Sequence, residues 1–264
     1  MKCRKPLKQV VSMFPTTIIK SHPKVRVPDP DGVFLRVSEF FCDTIQGENF
    51  VGFPAAFLRL QECTLNCRWC DTQQVWKYGN PYTITELLSL MDSVGLPERL
   101  HDGQRLVFTG GSPLNQQNAL LVFLQAFMER YAFKPYIEVE NECTLLPNRL
   151  FSKMVDCWNN SPKLSNAGNP RHRQYRPAII KGLSLLPNSW FKFVVSDESE
   201  WEEIEVDFLK PGLVKKQQIV LMPLGGSLAE LEINRPAVVQ MALKYNVRYS
   251  TREHVVLWDK LTGV

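Results

Sequence analysis

Cys63, Cys67 and Cys70 share one short loop in the pattern Cys-x3-Cys-x2-Cys. Three soft thiolates offered by a single loop are ligands for a soft metal centre. On a cubane iron–sulfur cluster, three cysteines leave one iron without a protein ligand. A co-substrate carrying an amine and a carboxylate can chelate that open iron. The competing use of such a loop is a structural zinc ion, which requires a fourth Cys or His at finger-like spacing. The nearest histidine, His101, has no partner spaced as a zinc ligand. The other four cysteines, Cys3, Cys42, Cys143 and Cys157, are scattered, and seven is an odd number for a disulfide framework.

The chemistry that an open iron invites is reductive. The methionyl end of S-adenosylmethionine is an amine and a carboxylate on one carbon. An electron passed from cluster to sulfonium would split a carbon–sulfur bond and yield a 5′-deoxyadenosyl radical. Such a cluster survives in a reducing compartment, which gives an expected cytoplasmic location. The basic start, Met1 to Lys8, is not followed by an apolar stretch of signal-peptide length. The longest apolar run, Ala119 to Phe127, is broken by Gln125 and is too short to span a bilayer.

The 264 residues are 44% hydrophobic, 22% charged and 11% aromatic, which excludes bulk disorder and gives ample length for a core. Lys and Arg number 31 against 27 Asp and Glu, a net charge of +4. That mild excess suits an enzyme handling anions and does not mark a nucleic-acid binder.

The elements that must position the loop are short strands separated by helices. Residues 1–33 are basic and end in Pro28-Asp29-Pro30-Asp31-Gly32, so they read as an N-terminal extension ahead of a domain spanning 34–264. Strands are expected at Phe34 to Phe41, Ala55 to Leu60, Arg105 to Phe108, Ile137 to Glu140, Phe191 to Val195 and Ile219 to Met222. A last strand is expected within Val247 to Trp258. Thr83-Ile84-Thr85-Glu86 is a capping box, and Leu120, Phe123, Leu124, Phe127, Met128 and Tyr131 form a helical stripe from about Asn115. Pro236 is expected to open a further helix that Asn246 closes. Asn159 to Pro177 reads as a long basic loop. Alternating strands and helices predict an α/β fold with a parallel sheet, open or partly closed as a barrel, and place function at the carboxyl ends of its strands.

Beyond the cysteines, the chain resembles the radical S-adenosylmethionine enzymes, and within them 7-carboxy-7-deazaguanine synthase of the queuosine pathway. The segments that carry the resemblance are Asp43-Thr44-Ile45-Gln46-Gly47-Glu48, Phe57-Leu58-Arg59-Leu60, Cys70-Asp71-Thr72, Thr109-Gly110-Gly111 and Asn160-Ser161-Pro162-Lys163. Leu221-Met222-Pro223 and the ending Leu257 to Val264 add to it. It runs in order from about residue 36 to the end and leaves out residues 1–33 and much of 166–177.

The resemblance implies a reduced, partly open (β/α) barrel of the radical S-adenosylmethionine type. It implies a [4Fe–4S] cluster on Cys63, Cys67 and Cys70, S-adenosylmethionine beside it, and Mg²⁺ held in part by the Thr72 hydroxyl. Trp69, Cys70, Asp71, Gly110, Gly111, Ser112, Ser161, Pro162 and Lys163 would meet the cofactor. Ile45, Gln46, Gly47, Glu48, Arg59, Thr109, Glu140, His254 and the terminal Val264 would meet the substrate, 6-carboxy-5,6,7,8-tetrahydropterin. A pterin edge needs donors and acceptors, and its carboxylate suits a guanidinium fork. The implied reaction expels ammonia and forms 7-carboxy-7-deazaguanine. A homodimer and an electron donor such as flavodoxin or ferredoxin are also implied.

Two departures stand out. The family usually reads Gly-Gly-Glu-Pro, whereas this chain reads Gly110-Gly111-Ser112-Pro113. The missing carboxylate normally helps hold the cofactor's ammonium group, so weaker affinity or compensation by another acid such as Glu140 is expected. The family usually reads Glu-Thr-Asn-Gly where this chain reads Glu140-Asn141-Glu142-Cys143. Two other functions compete. A glycyl-radical activase shares the cysteine loop, but the Ile45 to Glu48 and Ser161 to Lys163 segments argue against it. A zinc-stabilised nucleic-acid binder would use the basic extension and the run Arg171-His172-Arg173 with Arg176.

Overall fold

The computed structural model describes residues 16–20, 29–47 and 50–261. Ten strands among them join in one sheet: β1 Thr16–Ile19, β2 Phe34–Ile45, β3 Pro54–Leu60, β4 Asn80–Thr83, β5 Arg105–Gly110, β6 Ile137–Asn141, β7 Cys157–Asn160, β8 Ser189–Val195, β9 Ile219–Pro223 and β10 Arg248–Tyr249. Their order is β1-β2-β3-β5-β6-β7-β8-β9-β10, with β4 added to β2. From β3 through β10 the pairings along this path are parallel, while β1, β3 and β4 run antiparallel to β2. Among the described residues β1 and β10 do not pair, so the barrel is partly open, as expected.

Strands β5 and β9 read as near-continuous apolar runs because both of their faces are covered. Leu106, Val107 and Phe108 of β5 and Ile219, Leu221 and Met222 of β9 are buried. The helix Gln117–Tyr131 lays Leu120, Phe123, Leu124 and Phe127 on the sheet, and Phe108 meets Phe123 edge to face at 6.1 Å. Each such side chain contributes roughly 1.5–3 kcal/mol by leaving water. A second apolar cluster, around Phe191, Phe193, Trp201, Phe208 and Leu221, packs beneath the later strands. The Thr83 capping box forms in full ahead of the helix Ile84–Ser93.

Four expectations change. Thr16–Ile19, inside the basic extension, adds an edge strand to β2 and buries Ile19, as its β-branched residues favour. Asn159 and Asn160 belong to β7, and the segment beyond them carries short helical turns at Ser165–Ala167 and Arg171–Gln174 instead of one long loop. Pro236 lies inside the helix Leu228–Tyr245, which Ser227 caps by accepting from the Glu230 amide, and Asn246 closes it in the left-handed region. The last segment is a two-residue β10 followed by the helix Glu253–Trp258, so His254 sits on a helix and not on a strand.

The open side is bridged by side chains. A register shift between Phe41 and Thr44, with Asp43 at φ 64°, bends the end of β2. Gly47 beyond it packs against the start of the last helix, where an added Cβ would lie 3.2 Å from the Glu253 amide nitrogen. The buried Ser250 hydroxyl donates to the Gly47 carbonyl at 3.1 Å.

Candidate active site

A cavity of about 450 Å³ opens at the carboxyl ends of the parallel strands and reaches into the barrel as far as Gln46. Cys63, Cys67, Trp69, Cys70, Asp71 and Thr72 form part of its wall, together with Thr109, Gly110, Gly111, Ser161 and Lys163. Ile45, Gln46, Gly47, Arg59, Glu140 and His254 line it as well. Ser112 and Pro162 are buried behind the wall. Glu48 and Val264 lie outside the described residues.

The cysteine loop is braced from beneath by a segment outside the family resemblance. The Arg68 amide donates to the Ala167 carbonyl at 3.0 Å, and the Asn66 amide to Asn169 Oδ1 at 2.8 Å. Trp69 Nε1 donates to Asn166 Oδ1 at 3.2 Å. Each sulfur also receives an N–H: Leu65 N on Cys63 at 3.5 Å, Asn169 Nδ2 on Cys67 at 3.2 Å and Trp76 Nε1 on Cys70 at 3.4 Å. Donors of this kind steady thiolates and tune the potential of a cluster. Burial, with Glu142 adding to it, pushes the free Cys63 thiol up to about 11.

The donor set fits a [4Fe–4S] cluster. Three soft sulfurs share one wall of one cavity, yet among the described residues no three His, Cys, Asp or Glu side chains converge as ligands of a single ion. Thr72 stands at the N-cap position of a one-turn helix but makes no capping bond, leaving its hydroxyl turned 3.8 Å from the Cys70 sulfur. That geometry removes the helix cap as the reason for Thr72.

The glycine pair has a structural cause that its sequence alone did not disclose. Gly110 adopts φ +143°, and a Cβ there would meet the Leu60 carbonyl oxygen at 2.4 Å. A Cβ on Gly111 would meet the Glu62 carbonyl oxygen at 2.0 Å. The end of β5 therefore presses directly on the chain entering the cysteine loop, and the Ser112 amide donates to Glu62 at 2.7 Å.

The far wall is polar and interlocked. Arg59 is not a surface cation: its Nε donates to buried Glu39 at 3.0 Å. Gln46 Nε2 donates to Glu138 at 2.9 Å, and Glu138 also takes Arg105 at 2.5 Å and Asn159 at 2.9 Å. Arg105 lies among the rings of Phe50, Phe53 and Tyr136. Burial raises the Glu140 carboxyl above its ordinary value, against the opposing Thr109 hydroxyl that donates to it at 2.7 Å.

Lys192, Arg252 and Glu142 line the cavity and escaped the sequence reading. Burial lowers the Lys192 ammonium to about 7, with Arg252 contributing. Arg252 pairs with Asp71 across the mouth and donates to the Gly225 carbonyl at 2.6 Å. Burial alone would raise the Asp71 carboxyl; Arg252, then His254, outweigh it and hold Asp71 well below the usual carboxylate range. Burial lowers His254 despite its bond to Asp71. The one sequence signal for Lys192 was its place as a lone cation inside an apolar strand.

A partly open parallel barrel with three cysteines at its mouth defines a radical S-adenosylmethionine protein. A family described as a 4Fe-4S single cluster domain matches residues 46–141. The 7-carboxy-7-deazaguanine synthase of Pyrobaculum aerophilum is 29% identical over 87% of this chain and 97% of its own length. That of Rickettsia prowazekii is 33% identical over 66% of this chain and 68% of its own length. QueE from Escherichia coli superposes with a TM-score of 0.59 at 21% identity, covering 83% of this chain and 94% of that one, which shows a shared fold. The chain belongs to the 7-carboxy-7-deazaguanine synthase family.

Proposed function

We propose that the chain converts 6-carboxy-5,6,7,8-tetrahydropterin to 7-carboxy-7-deazaguanine with loss of ammonia, a carbon–nitrogen lyase step toward queuosine. The observation that carries this reading is the shared cavity, with three thiols on one wall and the Gln46, Arg59 and Glu140 side chains on another. A cavity of about 450 Å³ suits a small molecule, whereas an activase must admit a segment of a partner protein.

The residues divide the work. Arg59, fixed by Glu39, offers its remaining guanidinium N–H groups to the substrate carboxylate. Gln46 and Glu140 meet the pterin edge, and the raised Glu140 carboxyl can hold a proton against a ring nitrogen. Lys192 Nζ and the His254 imidazole can take and return protons as nitrogen leaves. Trp69, Asp71, Gly110, Gly111, Ser161 and Lys163 face the space left for S-adenosylmethionine, and Ser112 and Pro162 support it from behind. Thr72 Oγ1 would hold Mg²⁺ together with the substrate carboxylate. When bound, the cluster and S-adenosylmethionine would supply the carbon radical that takes hydrogen from the substrate carbon bearing the carboxylate.

The reading extends to a homodimer in the cytoplasm, reduced by a flavodoxin or ferredoxin. Residues 34–264 make up the radical enzyme domain, to whose sheet the strand Thr16–Ile19 of the preceding basic segment is added. No helix among the described residues is long and apolar enough to cross a membrane. The test is an anaerobic assay of cluster-loaded protein with the pterin, S-adenosylmethionine, Mg²⁺ and a chemical reductant. Formation of 7-carboxy-7-deazaguanine is expected; an intact cluster with no product overturns the reading.

A further inference from the structure

Glu142 is a buried carboxylate in the cavity wall, only 5% exposed. Its Oε1 accepts from the Thr64 hydroxyl at 2.8 Å and from the Thr144 hydroxyl at 2.5 Å. Its Oε2 is buried with no hydrogen-bond partner. No Lys, Arg or His among the described residues forms an ion pair with it; the nearby Lys163 ammonium donates to Ser161 Oγ at 2.8 Å and lies over the Trp69 ring. A buried carboxylate without a counter-charge is costly, so a group that satisfies it has to come from elsewhere.

Its position is built, and built with strain. Glu142 follows β6, and Cys143 after it adopts φ 66° while its amide donates to Asn141 Oδ1 at 2.9 Å. A non-glycine residue held in the left-handed region marks a turn that the surroundings impose. Thr64, inside the cysteine loop, ties this turn to Ser112: its amide donates to Ser112 Oγ at 3.0 Å and its hydroxyl reaches Glu142. One threonine therefore separates the serine that replaces the family's acid from an acid placed where the family usually has asparagine.

We infer that Glu142 binds the α-ammonium group of S-adenosylmethionine, taking over from the carboxylate that Ser112 lacks. Glu140, the compensating acid expected from the sequence, is instead bonded to Thr109 on the substrate side. The inference rests on the functional reading above, and Ser112 becomes a support that holds Thr64 and thereby the acid.

The test measures binding, not turnover, on cluster-loaded protein kept oxidised and anaerobic. Equilibrium dialysis compares S-adenosylmethionine with 5′-methylthioadenosine, which lacks the amino-acid end. Glu142→Gln is expected to weaken S-adenosylmethionine about tenfold, the difference between a charged and a neutral acceptor, while 5′-methylthioadenosine binding holds. Adding Ser112→Glu to that variant is expected to restore affinity. Equal loss for both ligands, or no loss for either, overturns the assignment of Glu142. Wild-type protein that fails to bind S-adenosylmethionine overturns the functional reading beneath it. Should Glu142→Gln not fold, Glu142→Asp, which retracts the charge, is read by the same ligand comparison.

Discussion

Asp71 and Arg252 lie 181 positions apart in the chain and form an ion pair across the barrel mouth. Asp71 follows the last cluster cysteine directly, and Arg252 precedes the final helix. The pair therefore ties the metal loop to the far end of the sheet.

Breaking this pair by Arg252→Met leaves Asp71 without its main partner. Complete burial would make the loss about 3–5 kcal/mol. Asp71 retains partial exposure, so roughly 1–3 kcal/mol is expected after screening. Urea unfolding of the metal-free protein measures it. The sign with pH is fixed by the lowered Asp71 value: the pair's contribution is present above the unfolded carboxylate range and fades as pH falls below it. The variant should thus match wild type in strong acid and fall behind it near neutrality.

Lys192 gives a slope of the same sign in a higher pH window. Its folded value near 7 lies below the unfolded one, so the unfolded chain binds more protons between them. Stability from this group rises as pH climbs from 7, by at most about 1.4 kcal/mol per pH unit. Lys192→Met should flatten that slope and be the more stable protein at pH 7. Parallel unfolding curves at pH 7 and pH 9 would contradict this if both proteins gave the same difference.

Gly111→Ala places a methyl on the Glu62 carbonyl, and Gly110→Ala adds strain of about 1–3 kcal/mol at a left-handed position. Both should displace the chain entering the cysteine loop. Iron retained after gel filtration is expected to drop more for Gly111→Ala than for Val122→Ala, a change on an exposed residue of the neighbouring helix.

Replacing any one of Cys63, Cys67 or Cys70 by Ala should abolish retained iron, whereas Cys157→Ala, on β7 and away from the loop, should not. Iron analysis of anaerobically loaded proteins distinguishes the two. Asn169→Ala, which removes the donor on Cys67, should keep its iron and shift the reduction potential of the cluster.

What could be read in advance was what local chemistry dictates. The Thr83 box, the stripe from Leu120 to Phe127 and the strands ending at Leu60 and Val195 follow from capping and apolar spacing. The strand Cys157–Asn160 escaped because half of it is asparagine, made tolerable in the core by bonds to Glu138 and Ser189. Pro236 misled because the earlier cap Ser227, accepting from the Glu230 amide, starts the helix at Leu228, and the helix carries on through the proline. The three cysteines announced a metal site on their own. Glu142 did not, since its burial depends on a left-handed turn at Cys143 and on Thr64, neither visible until the loop is folded.

The contact between Gly47 and Ser250 joins residues 203 apart. During synthesis, the first of these leaves the ribosome long before its mate, and only closure of the long loop between them brings them together. A nascent chain thus displays its thiols with one side of their chamber missing. Until the segment around Ser250 has been made and docked, the cysteine loop sits beside an unfinished wall.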